Sequence, residues 1–445
     1  MSPSADEPKE PINLRDWLPG QRVLTNEVLV DQEALALFTL IAHGSEHFTA
    51  RIHQTTTATI EKALVTLGSI EDSESIERFV QIAEALVSPA ADALRPALRT
   101  SASARTALRP QTINLYSPLY LSNACTNRCV YCGFRQDNDI PRLTLADAEI
   151  EREAAALAQS GVQEVLLLTG EAPAQVGVDY VVRAIEVAKT RFHVVGLEVF
   201  PMGVADYARV HEAGASALTL YQETYDPRVY RQVHQAGRKR NFQHRLSAPH
   251  RAVEAGFRRI GIGALLGLSD WRFETLALAL HARFLRAVAP DLQLSISFPR
   301  IRSAEGAMRA SRTVDDGALI HMMSALRLLL PDVTLVLSTR EAAELRDALA
   351  GTLVTKLSAG SKTNPGGYST GRNPSSRQVS RNGVSANLSA SGNADADANG
   401  SVSGSASTSG EQFEVHDHRP VSVVAASLLE RGFDVRGYQE HNTHG

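Results

Sequence analysis

The amino-acid sequence predicts an α/β fold, a (β/α)8 barrel with a helical N-terminal extension and a C-terminal helical segment. From residue 113 onward, eight short apolar runs alternate with amphipathic helices, which is the strand count of such a barrel. Before that point the apolar residues follow helix spacing, as Phe79, Ile82 and Leu86 do, and no strand-like run interrupts them. An open, doubly wound sheet gives the same alternation, so the count of eight is the feature that favours the barrel.

In either topology the functional site is expected at the C-terminal ends of the strands, and polar residues follow most of these strands. The predicted strands are INLYSPLYLSN, VQEVLLLTG, HVVGLEVFP, ALTLYQE, RRIGIGALLGL, LQLSISFPR, VTLVLSTRE and VTKLSAG. The predicted helices between them are 145–160, 177–190, 204–213, 248–255, 273–288 and 315–330. The polar residues at the strand ends are Glu171, Glu198, Gln222, Glu223, Arg300, Arg340, Glu341 and Ser358.

Composition divides the chain into four parts. Residues 1–110 form the helical N-terminal extension, and residues 111–360 form the barrel. Residues 361–410 are dominated by Ser, Asn, Gly, Ala and Asp, and such a stretch cannot bury enough apolar area to offset its ordering entropy. We therefore expect a disordered insertion there. Residues 411–445 regain helical content and should dock back on the barrel.

Charge and cysteine usage exclude several classes of protein. The net charge of −4 gives no general attraction to nucleic acid or to anionic membranes. No apolar run approaches the ~20 residues that span a bilayer, and the acidic N-terminus is not a secretory signal, so a cytoplasmic protein is expected. The three cysteines lie within eight residues of one another, which is a poor disulfide framework but a good ligand set for a soft metal centre.

The cysteines form a C-x3-C-x2-C motif, Cys125, Cys129 and Cys132, directly after the first predicted strand. Three thiolates can bind three irons of a [4Fe–4S] cluster and leave the fourth iron open to a small molecule. A structural zinc site, the alternative, needs a fourth Cys or a His at close spacing, and the nearest histidine downstream is His193. Tyr131, between the last two cysteines, fits a residue that flanks a bound nucleoside.

The segment YLSNACTNRCVYCGF resembles the cluster motif of the radical S-adenosylmethionine (SAM) superfamily. The wider set of motifs resembles one branch, the ThiH-type tyrosine lyases, which make 2-iminoacetate (dehydroglycine) for the thiazole of thiamine. YQETY, GALLGLSDWR and SKTNPGGY are specific to that branch. The other matching segments are PLYLSN, LLLTGE, LEVFPM, SISFPRIR, LSTRE and EQFEVHDHRP.

This resemblance implies the radical SAM form of the barrel, a [4Fe–4S] cluster and SAM as cofactors. Gly170 and Glu171 resemble the strand end that meets the methionine ammonium of SAM. The alternative for Glu171 is that it only caps the helix that follows. Glu198, Gln222 and Glu223 are placed to reach ribose hydroxyls or the substrate amine. The alternative for these three residues is a plain polar layer at the mouth of the barrel.

For the substrate, Arg340 and Ser358 resemble the carboxylate clamp of aromatic amino-acid lyases, with Tyr120 as a third contact. A guanidinium suits this role because it binds a carboxylate through two parallel hydrogen bonds. Arg300 and Arg302 are competing candidates for the clamp. A basic segment, HQAGRKRNFQHR, contains His234, Arg238, Lys239 and Arg245. We interpret it as a solvated face, and the alternative is that it reaches anionic groups other than phosphate, or a partner.

The reaction that the resemblance implies is hydrogen abstraction from the amino group of L-tyrosine, followed by Cα–Cβ cleavage to 2-iminoacetate and p-cresol. The implied partners are a ThiG-type thiazole synthase and a flavodoxin- or ferredoxin-type electron donor. The related hydrogenase-maturation lyase carries a second cluster on C-terminal cysteines, and no cysteine follows Cys132 here. A lyase for another aromatic amino acid or related substrate, and a non-catalytic SAM-binding scaffold, remain the alternatives.

Overall fold

The architecture is a closed barrel of eight parallel strands, as the sequence predicts. The computed structural model describes residues 27–67, 75–369 and 410–440. Each strand pairs with the next along the chain, and the first strand pairs with both the second and the eighth, which closes the barrel. The strands are β1 (Thr112–Ser122), β2 (Glu164–Thr169), β3 (Val194–Glu198), β4 (Ala217–Thr219), β5 (Arg259–Gly263), β6 (Gln293–Ser297), β7 (Thr334–Leu337) and β8 (Lys356–Ser358).

Helices surround the barrel and extend beyond it at the N-terminal side. Those that precede the barrel are α1 (Glu27–Ile52), α2 (Thr57–Leu67), α3 (Ile76–Val87) and α4 (Arg95–Ala107). Those that follow β1 are α5 (Asp147–Ala158), α6 (Val178–Ala188), α7 (Val204–Ala213), α8 (Pro227–Val233), α9 (Phe242–Leu246), α10 (Ala248–Glu254), α11 (Trp271–Val288), α12 (Asp316–Leu329), α13 (Ala343–Leu349) and α14 (Val421–Glu430). The sequence predictions missed α8, α9 and α13, which are only five to seven residues long.

Three of the four N-terminal helices, α1, α3 and α4, pack on α11 and α12 of the barrel, and α2 packs on α3. Apolar rings meet in this interface, where Phe48 lies edge-on to Phe273 with ring centroids 5.9 Å apart. Polar contacts fix its edges: the Arg272 guanidinium donates to the carbonyl oxygen of Val87 at 2.7 Å. α1 bends at Gly44, whose φ of 73° is readily adopted only by glycine. The N-terminal helices are therefore part of the barrel's outer packing.

The C-terminal part of the described chain returns to the barrel at both ends. A ninth strand, β9 (Asp434–Arg436), pairs in parallel with the beginning of β1. At the opposite end, the segment around Gln412 contacts the loop that carries Cys125, Cys129 and Cys132, called the cysteine loop below. The Gly133 N–H donates to the Gln412 carbonyl oxygen at 3.2 Å. The last residues before position 370 also contact the barrel, since the Tyr368 hydroxyl donates to the Pro118 carbonyl oxygen at 2.7 Å.

The remainder of the expected insertion, residues 370–409, lies outside the described residues, so the disorder predicted for it stays a prediction. The four-part division of the chain likewise stays a prediction. Among the helices that the structure describes, none combines the length and the apolar character that crossing a bilayer requires. The predicted (β/α)8 fold itself is confirmed.

Candidate active site

The cysteine loop begins where β1 ends and is attached to the end of β2. The backbone N–H of Thr126 donates to the carbonyl oxygen of Glu171 at 2.8 Å. Gly170 sits beneath the loop, and a Cβ atom at this position would lie 2.1 Å from the carbonyl oxygen of Ala124. Gly170 is therefore required for close approach of β2 to the chain just before Cys125.

A second attachment joins the loop to the segment that follows α8. Cys129 and His234 form an isolated antiparallel bridge, and the Arg128 N–H donates to the Ala236 carbonyl oxygen at 3.1 Å. Gly237 has a φ of 87°, and a Cβ there would lie 2.2 Å from the Asn127 side-chain oxygen. The cysteine loop is thus held on two sides by main-chain contacts, which fixes the positions of its thiols.

The thiol environment fits an iron–sulfur cluster better than a zinc ion. Within residues 27–67, 75–369 and 410–440, no group of three or more His, Cys, Asp or Glu side chains could hold one metal ion. In a cubane each thiolate binds a different iron, so the thiols need not converge on one point. Burial raises the pKa of Cys129 to about 12 and also raises the pKa of Cys132, and bound metal would offset this by stabilising the thiolates.

Glu171, expected to meet SAM, is buried and anchors the cysteine loop. Its Oε2 accepts a hydrogen bond from the Asn127 side-chain amide at 2.7 Å. The Asn127 side-chain oxygen in turn accepts from the Lys239 backbone N–H at 3.0 Å. Through Asn127, Glu171 therefore links both attachments of the loop.

Two adjoining cavities lie inside the barrel mouth, next to the cysteine loop. The inner cavity has an empty volume of about 560 Å³ and the outer cavity about 520 Å³, solvent-open space included. Tyr120 and Ser358 line the inner cavity, whereas Tyr131, Cys132 and Glu223 line the outer one. The residues that line both cavities are Glu198, Tyr221, Pro299, Arg340, Gln412 and Phe413.

The structure brings seven of the twelve predicted site residues together in the walls of these cavities. The other five, Cys125, Cys129, Gly170, Glu171 and Gln222, line neither cavity. Gln222 is buried, and its side-chain oxygen has no hydrogen-bond partner among the described residues. An unpaired buried acceptor of this kind suits a ligand that can donate a hydrogen bond.

Arg340 lies at the boundary between the two cavities and has no carboxylate within ion-pair distance among the described residues. Its guanidinium stacks on the Phe413 ring, 3.3 Å from the ring centroid, and makes a long hydrogen bond of 3.4 Å to the Arg300 carbonyl oxygen. Burial lowers the pKa of Arg340. Since a buried cation is strongly stabilised by an anion, this arrangement favours an anionic ligand in the cavity.

The competing arginines are already paired. Glu341 accepts hydrogen bonds from the Arg300 Nε at 3.0 Å and from Arg302 at 2.7 Å, and Arg300 also lies 2.8 Å from Asp316. Two arginines that share a fully buried carboxylate are poorly placed to bind a second one. The geometry therefore favours Arg340 over Arg300 and Arg302 as the carboxylate-binding residue.

The basic segment is not a solvated face, and that interpretation was wrong for three of its four residues. His234 is buried, and the Lys239 ammonium and the Arg245 guanidinium lie 2.6 and 3.3 Å from the Glu223 carboxylate. Of these four residues only Arg238 is exposed, as is Arg240 in the same segment. The segment turns inward because the chain beyond α8 pairs with the cysteine loop, a contact that the sequence does not reveal.

The pKa values of Glu223 and Glu198 are shifted in opposite directions. Burial raises the pKa of Glu223, but the attraction of Lys239 and Arg245 outweighs it, so the pKa of Glu223 lies below its ordinary value. Burial, together with repulsion by Glu223, raises the pKa of Glu198 to about 7. Glu223 is therefore an ionised acceptor, whereas Glu198 exchanges its proton near neutral pH. Glu223 also has a φ of 71°, which is unusual for a non-glycine residue.

The hydroxyl groups predicted at the site all have partners. The Tyr120 hydroxyl donates to the Gln412 side-chain oxygen at 2.7 Å, and the Ser358 hydroxyl accepts from the Thr339 N–H at 3.0 Å. The Tyr131 hydroxyl lies 2.7 Å from the His234 Nε2. These contacts fix the orientation of the cavity walls before any ligand binds.

Among the six residues that line both cavities, sequence reasoning missed four: Tyr221, Pro299, Gln412 and Phe413. Tyr221 directly precedes Gln222 and Glu223, so its position after β4 is the sequence signal that points to it. Gln412 and Phe413 belong to the segment EQFEVHDHRP, which resembles the family but was considered only as a docking element.

Comparison with known proteins agrees with this site. Residues 119–280 match the radical SAM superfamily, and residues 297–434 match the biotin and thiamin synthesis associated domain. The chain is 39% identical to the 2-iminoacetate synthase of Escherichia coli over 320 residues, which cover 72% of this chain and 82% of that protein. The Salmonella typhimurium 2-iminoacetate synthase is 38% identical over the same share of each chain.

The fold also matches the solved structure of the FeFe-hydrogenase maturase HydG from Carboxydothermus hydrogenoformans. The TM-score is 0.74 at 28% identity, and the match covers 90% of this chain and 84% of HydG. Enzymes of the radical SAM superfamily use a [4Fe–4S] cluster and SAM, and the thiol environment described above fits that cluster. With its cysteine loop, its barrel and this similarity to curated relatives, the chain belongs to the 2-iminoacetate synthase family of radical SAM enzymes.

Proposed function

We propose that this chain is a radical SAM lyase that cleaves the Cα–Cβ bond of L-tyrosine to 2-iminoacetate and p-cresol, for synthesis of the thiamine thiazole. SAM is converted to methionine and 5′-deoxyadenosine in the reaction. The observation that carries the proposal is the pair of cavities beside the cysteine loop, with a half-buried Arg340 at their boundary that has no ion-pair partner among the described residues. Such a site offers one compartment for a cofactor and one for an amino acid.

Cys125, Cys129 and Cys132 would hold the cluster. When bound there, the cluster would supply the electron for reductive cleavage of SAM, which is the source of the radical chemistry of this superfamily. The role of the chain is to hold the three thiols in place through the attachments of the loop to β2 and to the segment after α8. Because those attachments are main-chain contacts and buried side chains, the loop is positioned before any ligand binds.

The outer cavity is the proposed SAM compartment, since Cys132 and Tyr131 are in its wall. Glu223, kept ionised by Lys239 and Arg245, is suited to accept hydrogen bonds from ribose hydroxyls. Tyr131 offers a ring against the nucleoside. Gly170 and Glu171 are the proposed residues for the methionine end of SAM, and Gln222 for ribose hydroxyls or the substrate amine, although none of the three lines the outer cavity.

The inner cavity is the proposed tyrosine compartment. Arg340, which has no carboxylate partner among the described residues, would bind the substrate carboxylate. Ser358 and Tyr120 would be neighbouring polar contacts. Glu198, in the wall of both cavities, can accept a hydrogen bond from the substrate amino group. This placement puts the amino nitrogen towards the outer cavity, which is the side where hydrogen abstraction begins.

Product analysis tests the activity. The reconstituted protein is incubated anaerobically with SAM, a reductant and L-tyrosine, and p-cresol and 5′-deoxyadenosine are measured. L-tryptophan in place of tyrosine separates this lyase from one that acts on another aromatic amino acid. Cleavage of SAM without any aromatic product from either substrate would leave a SAM-binding scaffold as the better description.

Metal analysis tests the cluster independently of turnover. We expect about four irons per chain after reconstitution. Cys125→Ala, Cys129→Ala and Cys132→Ala should each abolish iron–sulfur absorption, because a missing thiolate leaves one iron without its protein ligand. One zinc per chain and no iron–sulfur absorption would contradict the assignment.

Two protein partners complete the proposal. 2-Iminoacetate hydrolyses readily in water, so we propose direct transfer to a ThiG-type thiazole synthase. The electron would come from a flavodoxin- or ferredoxin-type donor, in the cytoplasm. Co-purification of the synthase with this chain, and its loss in high salt, would test the first partnership, whereas p-cresol formation with reduced flavodoxin in place of dithionite would test the second.

A further inference from the structure

Gln412 connects the inner cavity to a cluster ligand through its side chain. Its side-chain oxygen accepts from the Tyr120 hydroxyl at 2.7 Å, and its side-chain nitrogen lies 3.8 Å from the sulfur of Cys132. Its backbone is held separately, since the Gln412 N–H donates to the Thr363 carbonyl oxygen at 3.0 Å. The side chain can therefore be changed without removing the main-chain contacts that place it.

The chemistry of the two neighbours fixes which way the amide points. A thiolate can only accept hydrogen bonds, so the NH2 group of Gln412 must face the Cys132 sulfur. The amide oxygen then faces Tyr120, whose hydroxyl must donate its only proton to it. The Tyr120 hydroxyl can consequently offer no second hydrogen bond to a ligand in the inner cavity while this arrangement persists.

A substrate carboxylate would compete with Gln412 for that proton. Arg340 and Tyr120 line the same cavity, so an anion bound by the guanidinium lies near the Tyr120 hydroxyl. A carboxylate is a stronger acceptor than a neutral amide. Once the hydroxyl turns towards the carboxylate, the amide of Gln412 is less polarised and becomes a weaker donor to the sulfur.

We propose that Gln412 is a positioning residue that makes the reduction potential of the cluster depend on whether substrate occupies the inner cavity. This inference rests on the proposed function, because it requires a cluster on Cys132 and an amino acid at Arg340. Hydrogen bonds to cysteine sulfurs stabilise the more negative, reduced state of a cluster and so raise its potential. Substrate binding, which weakens the donor, then lowers the potential.

The test is a reductive titration of the reconstituted full chain, followed by electron paramagnetic resonance, with and without L-tyrosine. Dithionite supplies the one electron that each cluster takes up. Gln412→Met keeps the length of the side chain and removes the amide. We expect the ratio of reduced to oxidised cluster at a fixed potential to fall about two- to tenfold, as for the loss of one hydrogen bond. In Gln412→Met, the ratio of reduced to oxidised cluster should no longer change when tyrosine is added.

A second variant separates the two ends of the connection. Tyr120→Phe keeps the ring that lies edge-on to Phe134, 5.9 Å away between centroids, but removes the hydroxyl. Without tyrosine, the reduction potential of the cluster in Tyr120→Phe should differ less from the wild-type value than the potential in Gln412→Met does. Its response to tyrosine should nevertheless be lost, because the group for which substrate and Gln412 compete is gone.

The outcomes distinguish this inference from the proposed function. A chain that binds no cluster, or that gives no p-cresol, would contradict the proposed function before the titration begins. Two results would overturn the proposed role of Gln412 and leave the proposed function intact. One is a wild-type cluster whose reduction potential is unchanged by tyrosine, and the other is a Gln412→Met cluster that responds to tyrosine as the wild type does. Iron content and the far-ultraviolet circular dichroism of each variant serve as controls for assembly and folding.

Discussion

Replacing Arg340 by lysine is the sharpest test of how the substrate is bound. The change keeps the positive charge at the boundary of the two cavities but removes the planar, two-point geometry that a carboxylate matches. Lysine also loses the flat guanidinium face that stacks on Phe413 at 3.3 Å. The substrate would still be attracted to the cavity but would be held by one hydrogen bond in a less defined orientation.

The expected loss follows from the contacts involved. One hydrogen bond to a charged group contributes about 1.5–3 kcal/mol. At about 1.4 kcal/mol per factor of ten, this corresponds to roughly a 10- to 150-fold loss. Misplacement of the amino nitrogen adds to it, because small displacements at the reacting atom are costly. We therefore expect p-cresol formation to fall on the order of 10²-fold or more in kcat/KM.

The assay measures p-cresol and 5′-deoxyadenosine in parallel, with Arg300→Lys as the matched control. Arg300 is paired with Glu341, so its replacement should leave p-cresol formation within a few-fold of the wild type if the variant folds. Cluster content and the slow cleavage of SAM that is uncoupled from substrate should survive in Arg340→Lys. Near-normal p-cresol formation in Arg340→Lys, combined with its loss in Arg300→Lys, would refute the clamp at Arg340.

Three further predictions concern the loop, the cavity and the C-terminal segment. Gly170→Ala places a Cβ 2.1 Å from a carbonyl oxygen and should lower iron content, whereas Gly203→Ala, with nothing within 4 Å of its Cβ, should not. Equal iron content in both variants would contradict the close-approach argument. The raised pKa of Glu198, about 7 against 4.5, means that the folded chain keeps a proton that the unfolded chain loses, so this group lowers stability as pH rises through that window. Glu198→Gln should flatten the fall in the melting temperature of the apo-protein between pH 4.5 and 7, and an unchanged pH profile would contradict the pKa shift. Asp417→Ala leaves the fully buried Arg346 without its ion-pair partner and should cost about 3–5 kcal/mol of unfolding free energy, measured by urea denaturation; a loss below about 1 kcal/mol would contradict it.

The barrel could be predicted from the sequence because its strands are local apolar runs. Even β4 and β8, each only three residues long, were found, since they lie within longer apolar segments. The positions of Arg340 and Ser358 followed from the same pattern, because residues after parallel strands gather at one end of a barrel. For these residues, the local pattern of apolar residues is sufficient to predict their place at the ends of the strands.

The rest of the site depends on contacts between distant parts of the chain. Lys239 and Arg245 look like surface residues until Glu223, about twenty positions earlier, is turned towards them by an unusual backbone conformation. Phe413 becomes part of the cavity walls only because the C-terminal segment lies across the mouth of the barrel. A pattern of charges cannot distinguish an inward from an outward orientation, because burial depends on the partners that the fold supplies.

The contact between Gln412 and Cys132 also has a consequence for the order in which the protein assembles. The two residues are 280 positions apart, and a ribosome that adds about 5–20 residues per second needs roughly 14–56 seconds to synthesise the intervening chain. During that time the cysteines and most of the strands have already left the ribosome. Contacts between such distant residues also form late on entropic grounds. The nascent thiols therefore remain uncovered by the C-terminal segment throughout this interval, on a side that the folded chain later covers.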